Sequence, residues 1–198
     1  HDILNNQYGG LLSFGFFASI FLMTNGVNAI FGGFEYSYHV KEYRNIIKAY
    51  VISLAVSLLM SFFLITTVVF VILYQVALAK INEKGWFNTN DLDLFYYGRG
   101  FLFLLMIFTI VSLLFRYGTK QGKGIKFFSA GAILTTVVSM FSFYVFGIYV
   151  VKFAKYNQLY GSIGTLLILM LFVWLNAIIL LLGFELNATI YQLKRKNK

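Results

Sequence analysis

Six side chains in this sequence set a polar or charged group in apolar surroundings: Asn28, Arg44, Arg116, Asn176, Glu185 and Asn187. An amide in hydrocarbon must bond another helix or line a wet cavity. A carboxylate there must reach water, pair with a cation or handle an ion. Residues 161–184 carry no charge; Asn176 lies within that run, and Glu185 and Asn187 follow it. At 100° per residue, Ser162, Thr165, Asn176, Gly183 and Asn187 fall within about 40° of one line, and Glu185 points nearly the opposite way. The asparagine face and the carboxylate are therefore expected to serve different neighbours. A hydrogen bond between membrane helices contributes about 0.6–2 kcal/mol, so Asn176 is expected to bond another helix or to line a cavity. Arg44 and Arg116 are the expected partners of Glu185, with a coupling-ion or proton site as the alternative. Thr24, Asn25 and Asn28 form a second polar cluster, and Phe14, Phe17 and Phe21 continue its face. Asn28 is expected either to bond a neighbouring helix or to meet the last helix across a shared cavity.

Hydrolytic chemistry finds little here. Acid–base or metal-assisted catalysis needs positioned carboxylates, histidines or a nucleophile pair. The histidines, His1 and His39, fall outside the apolar runs, and Asp91 with Asp93 is an ordinary solvated pair on a loop. Walker-type, HExxH and GxSxG patterns do not occur. No catalytic residue, metal site or cofactor is expected. The chain has no cysteine, hence no disulfide framework or thiolate site, and its redox compartment is not legible.

The elements that must position these groups are membrane helices. The 198 residues are 60% hydrophobic and 12% charged, against about 25% charged in soluble domains. Roughly 20 apolar residues cross a bilayer core of about 30 Å. Five runs qualify or nearly do, at about residues 9–31, 49–79, 100–117, 127–151 and 161–184. The second is long enough to tilt or project. Sustained period-two alternation is missing, which argues against a β-barrel. The fold expected is an all-α polytopic transmembrane bundle forming a single domain. The opening His1-Asp2-Ile3 leads us to expect a longer chain with a sixth, earlier span.

The net charge of +9 matters through its distribution over the loops. If the spans alternate, Lys41, Arg44, Lys48, Arg116, Lys120, Lys123, Lys126, Lys194, Arg195, Lys196 and Lys198 share one side. Lys80, Lys84, Arg99, Lys152 and Lys155 lie on the other, diluted by Glu83, Asp91 and Asp93. Eleven against five favours a cytoplasmic C-terminus. The loop at residues 80–94 holds Trp86 and Phe87, with Tyr96 and Tyr97 just after, and is expected to form a short interfacial helix. Ser53, Ser57 and Ser61 recur every four residues, and Thr135, Ser139 and Ser142 continue from Gly131. Each set reads as a helix-packing seam, with a substrate-lining stripe as the alternative.

Particular motifs carry a resemblance. Tyr160-Gly161-Ser162, the apolar run, and Leu182-Gly183-Phe184-Glu185-Leu186-Asn187-Ala188 resemble the closing pattern of the YihY/BrkB family of bacterial inner-membrane proteins. Asn28-Ala29-Ile30-Phe31, Glu42-Tyr43-Arg44, Phe115-Arg116-Tyr117 and Gly131-Ala132-Ile133 resemble its other motifs, over nearly the whole chain. The chain departs in having no proline. Gly118 and Ala130 stand where the family has prolines, so a proline kink is not carried over. The resemblance implies six spans with both termini cytoplasmic and a location in the bacterial inner membrane. Family members were once called a tRNA-processing ribonuclease, and others virulence or serum-resistance factors. Genetic links to envelope lipid transport imply translocation of a lipid or amphipathic anion. The alternative is a non-transporting subunit that anchors an envelope lipid-transfer partner. Membrane lipids are the partners expected, with no nucleic acid.

Overall fold

The computed structural model describes residues 9–37, 40, 43–83, 92–153 and 157–196. They form five long helices: α1 Gly9–Glu35, α2 Ile46–Glu83, α3 Leu92–Gly118, α4 Ala130–Phe153 and α5 Asn157–Lys196, with a short 3-10 turn at Gln121–Gly124. No strand occurs among the described residues. All five helices contain segments long and apolar enough to cross a membrane. In hydrocarbon the helix satisfies every backbone group internally, which is why runs this apolar take that form. The chain is a multi-pass membrane protein.

A helix covers each of the five apolar runs, with longer or shifted ends. Backbone helicity continues past the hydrocarbon wherever i→i−4 bonding is still served. So α3 begins at Leu92, well before residue 100, and α5 continues to Lys196. The fourth helix starts later than expected, at Ala130, because Ser129 caps it. The interfacial helix expected between residues 80 and 94 falls mainly on residues outside the described set, as do His1, His39, Glu42 and Asp91.

Consecutive helices pack antiparallel. Thr24 of α1 meets Ser57 of α2, Phe103 of α3 meets Phe143 of α4, and Ser142 of α4 meets Asn176 of α5. In contrast, α1 and α5 run parallel where they touch: Phe34 stacks on Phe184 and Ser37 reaches Glu185. The bundle thus has one end, the basic end, that gathers Arg44, Arg116, the start of α4 and the end of α5.

Packing is uneven along the helices. Among the described residues, the buried positions are Thr24 to Phe34 on α1, Ser53 to Ser57 on α2, Ile107 to Gly118 on α3, Gly131 to Ser142 on α4 and Gly183 to Asn187 on α5. All lie in the half nearer the basic end. In the opposite half the apolar side chains are exposed, including Phe17, Phe62, Phe101, Tyr144 and Leu167. Close packing therefore holds one half of the bundle, and the other half exposes most of its described apolar side chains while keeping contacts such as the Phe146–Phe172 stack.

Candidate functional site

The packed half is assembled from polar seams around an aromatic centre. Along α1 and α2, small hydroxyl residues let the backbones approach. Thr24 Oγ1 lies 3.1 Å from Ser57 Oγ, Ser53 Oγ donates to Asn28 Oδ1 at 3.3 Å, and Ser61 Oγ lies 3.0 Å from Met23 Sδ. Each serine hydroxyl also has a carbonyl of its own helix within reach where the geometry allows, as with Ser53 to Ala49 and Ser57 to Ser53. The serine stripe is therefore a packing seam, the first of its two expected roles. The Asn28 amide faces α2 through Ser53 rather than meeting α5 across a cavity. Asn25, expected in the same cluster, is exposed, because one residue along a helix turns the side chain by 100°.

The second seam joins α4 to α5 at two glycines. A Cβ on Gly183 would overlap Thr135 Oγ1, and one on Gly131 would overlap the Gly183 carbonyl oxygen and the Asn187 amide. Only glycine permits this approach, and it brings Asn187 onto the first turn of α4. Gly131 donates its backbone N–H to Asn187 Oδ1 at 2.8 Å, and Asn187 Nδ2 donates to Ser129 Oγ at 2.9 Å. Ser129 Oγ in turn accepts the Ala132 N–H at 3.3 Å. Two of the orphan N–H groups at the α4 N-terminus are thus satisfied by side chains, one of them supplied by another helix. Asn187 is only 4% exposed, so the bond forms away from water. Further along the seam, Asn176 Nδ2 donates to its own Phe172 carbonyl at 2.9 Å and sits a long 3.4 Å from Ser142 Oγ. Asn176 and Asn187 share one face, as their angular spacing implied, and that face points at α4.

Glu185 points the other way, toward α1, as expected. Ser37 donates its hydroxyl to Glu185 Oε2. The cations expected to pair with Glu185 are engaged or placed elsewhere. Arg44 donates Nη1 to the Tyr117 carbonyl at 2.6 Å and Nη2 to the Thr119 carbonyl at 2.5 Å. Its fork therefore caps the C-terminus of α3, where carbonyls point outward and the dipole is negative. Partial burial lowers the Arg44 pKa from its ordinary value, and nearby Glu35 opposes that shift. Arg116 sits in the last turn of α3 with its side chain exposed. The six residues do not converge on one point. Asn28 serves α1–α2, Asn176 and Asn187 serve α4–α5, Glu185 bridges α5 to the residues after α1, and Arg44 ties the α1–α2 connection to α3.

What lies between them was not read from the sequence. Phe34, Phe115 and Phe184, at 0%, 0% and 2% exposure, come from α1, α3 and α5. Phe34 and Phe184 stack with centroids 4.4 Å apart, and Phe115 meets each edge-on at 5.7 and 6.0 Å. Such pairs contribute about 0.5–1.5 kcal/mol each beyond area burial. The triad fills the space between α1, α3 and α5 at the basic end as a plug of packed rings. Phe184 adjoins Glu185 in sequence, and that adjacency was the available signal; 23 phenylalanines in the chain hide it. Ser37 and Ser129, the partners of Glu185 and Asn187, were missed because both stand outside helices.

Toward the opposite half, two apolar grooves open between helix pairs. One, of about 740 Å³, runs between α2 and α3 and is lined by Leu64, Thr67, Val68, Gly100, Phe103 and Met106 among others. The second, of about 510 Å³, runs between α4 and α5 past Phe141, Val145, Phe172 and Ile179. Both are within the roughly 300–1,000 Å³ typical of small-molecule sites.

Comparison with known proteins adds the lineage. The family described as virulence factor BrkB matches residues 1–198. A protein of Bacillus subtilis (strain 168) named ribonuclease-like protein YfkH is 32% identical over 202 residues, covering 98% of this chain and 71% of that protein. No solved structure matches. With its closing Leu182–Ala188 motif forming the α4–α5 cap and the α1–α5 bridge, and with the family pattern spanning its whole length, the chain belongs to the BrkB family of membrane proteins.

Proposed function

We propose that this protein binds a lipid or other amphipathic anion and moves it across the bacterial inner membrane. The observation that carries this reading is the contrast between the two halves of the bundle. One half is sealed by the Phe34–Phe115–Phe184 plug, and the other opens into apolar grooves of acyl-chain character. A bundle closed at one end and open at the other is one of the two states an alternating-access device requires. In this reading the basic end faces the cytoplasm, following its excess of Lys and Arg, and translocation requires the plug to part. The ribonuclease-like name of the Bacillus relative describes that protein; lipid translocation contains no hydrolytic step.

A fluorescent-lipid assay in proteoliposomes tests it. Protein-dependent movement of labelled phospholipid between leaflets is expected, and it should fall in Gly100→Leu. An added Cβ at Gly100 meets nothing within 4 Å, so the larger side chain fills the α2–α3 groove without disturbing the packed half. Rates equal to those of protein-free vesicles, with or without an ion gradient, contradict the proposal.

One observation favours a second reading, a non-transporting subunit that anchors an envelope partner. Phe14, Phe17 and Phe21 are 58–73% exposed and share one face of α1, as a helix awaiting another helix would. Purification from native membranes with a stoichiometric protein partner, together with absent lipid movement, supports that reading over the first.

A further inference from the structure

A pocket of about 280 Å³ lies at the basic end where α4 begins and α5 ends, away from both the phenylalanine plug and Glu185. Its walls are mixed: Lys126 and Lys194 supply charge, Ser129 and Tyr191 supply hydroxyls, and Phe128 and Ile190 are apolar. No carboxylate lines it among the described residues. The α4 N-terminus beside it does not make this an anion site, because Asn187 and Ser129 already occupy the Gly131 and Ala132 N–H groups. The two lysines do. Both are exposed, Lys126 just before the apolar α4 segment Ala130–Lys152 and Lys194 at the end of the apolar α5 segment Gly164–Lys194.

A second feature shares this face. On α5, Ile190 of the pocket and Ile179 of the α4–α5 groove are eleven residues apart, hence within about 20° of each other around the helix. On α4, Ala130 of the pocket and Phe141 of the groove have the same eleven-residue spacing. At 1.5 Å per residue the groove begins about 16 Å deeper than the pocket at these residues and continues to about 28 Å at Tyr149 and Leu171. Its near end therefore lies about one leaflet down, half of a hydrocarbon core of about 30 Å. Charge and hydroxyls at the surface, with the near end of an apolar groove within reach of an acyl chain on the same face, match the layout of a single phospholipid.

We propose that the α4–α5 face binds an anionic phospholipid of the leaflet at the basic end, its phosphate held by Lys126 and Lys194 and an acyl chain running down to the near end of the groove at Val138, Phe141 and Ile179. Basic pockets between membrane helices recognise anionic headgroups in this way. The groove commits the site to a lipid over a free phosphate, since a small anion has no use for it. Binding at this face stands apart from translocation and is read at equilibrium.

Purified protein is titrated with phosphatidylglycerol and with phosphatidylcholine, and bound lipid is counted by native mass spectrometry. Phosphatidylglycerol is expected to bind in preference. Each near-surface lysine contributes about fivefold, so Lys126→Gln with Lys194→Gln together lower phosphatidylglycerol affinity about thirtyfold. The double Arg variant retains binding, and Lys152→Gln at the opposite end leaves it unchanged. Two arms locate the source of the anion. Excess glycerol phosphate should compete poorly, and Ile179→Trp, which fills the groove, should weaken the lipid without reducing any glycerol phosphate binding. Wild-type protein that binds both lipids equally, a double Gln variant that binds as wild type, or glycerol phosphate that binds as tightly as the lipid overturns the proposal. Loss of lipid translocation with this binding intact would count only against the transport reading.

Discussion

Asn187→Ala should destabilise the protein far more than Asn176→Ala, although both asparagines lie on the same face of α5. Asn187 accepts the Gly131 N–H at 2.8 Å and donates to Ser129 at 2.9 Å, at 4% exposure. Truncation leaves a buried N–H unsatisfied, at about 1–3 kcal/mol. It also removes a second interhelical bond, at about 0.6–1.7 kcal/mol. The sum is about 2–5 kcal/mol, and at about 2–4 °C per kcal/mol for a chain of this size the unfolding midpoint falls by roughly 4–20 °C. Asn176 makes its good bond to Phe172 of its own helix, and its interhelical contact is 3.4 Å long. Its truncation should therefore cost below about 0.6 kcal/mol. Asn187→Asp keeps the acceptor and loses the donor, so it should fall between, less the cost of burying charge. The assay is thermal unfolding of the purified protein in nanodiscs, followed by tryptophan fluorescence, with residual monomer checked by size-exclusion chromatography. Equal losses for the two alanine variants, or a larger loss at Asn176, would refute the idea that Asn187 caps α4 across the seam.

Other variants probe the remaining contacts. Gly183→Ala should destabilise by about 1–3 kcal/mol through overpacking, measured by the same unfolding assay. Adding Thr135→Ala should recover part of that loss, since Thr135 Oγ1 is the atom the new methyl would meet and is itself buried without a hydrogen-bond partner among the described residues. Arg44→Lys should loosen the end of α3 by about 1 kcal/mol, because an ammonium does not reproduce a fork that reaches two carbonyls; faster amide exchange at residues 115–119 is the readout. Ser37→Ala and Glu185→Gln should each weaken the α1–α5 bridge, and a double-mutant cycle should show them coupled by at least about 0.5 kcal/mol.

Much of the architecture was legible because hydrocarbon imposes one dominant rule: long uncharged runs must become helices. The five spans, the two small-residue seams and the opposed directions of Glu185 and Asn187 all follow from that rule and from helical period. Span ends were less legible, since α3 and α5 extend well beyond their apolar cores, and local caps such as Ser129 fix the boundaries. Partner choice was least legible. Arg44 is drawn to the open carbonyls of α3, which are invisible as a target until the helix end is placed, and so the expected Arg44–Glu185 pairing did not arise as the described contact. Hydroxyls outside helices, Ser37 and Ser129, carry no periodic signal. The phenylalanine plug needs three helices brought together, and among so many phenylalanines composition cannot single out those three.

In the transport reading, movement of an amphipathic molecule requires the plugged end to part. Gly33 and Leu181 meet across α1 and α5 beside the plug, where a Cβ added at Gly33 would stand 3.4 Å from Leu181 Cδ2. The sequence has no cysteine, so Gly33→Cys with Leu181→Cys gives a single addressable pair. Lipid movement in proteoliposomes is then measured before cross-linking with a short reducible reagent, after it, and after reduction. Movement should stop when the pair is linked and return when it is released; an unchanged rate in the linked state would contradict the requirement that the plug open.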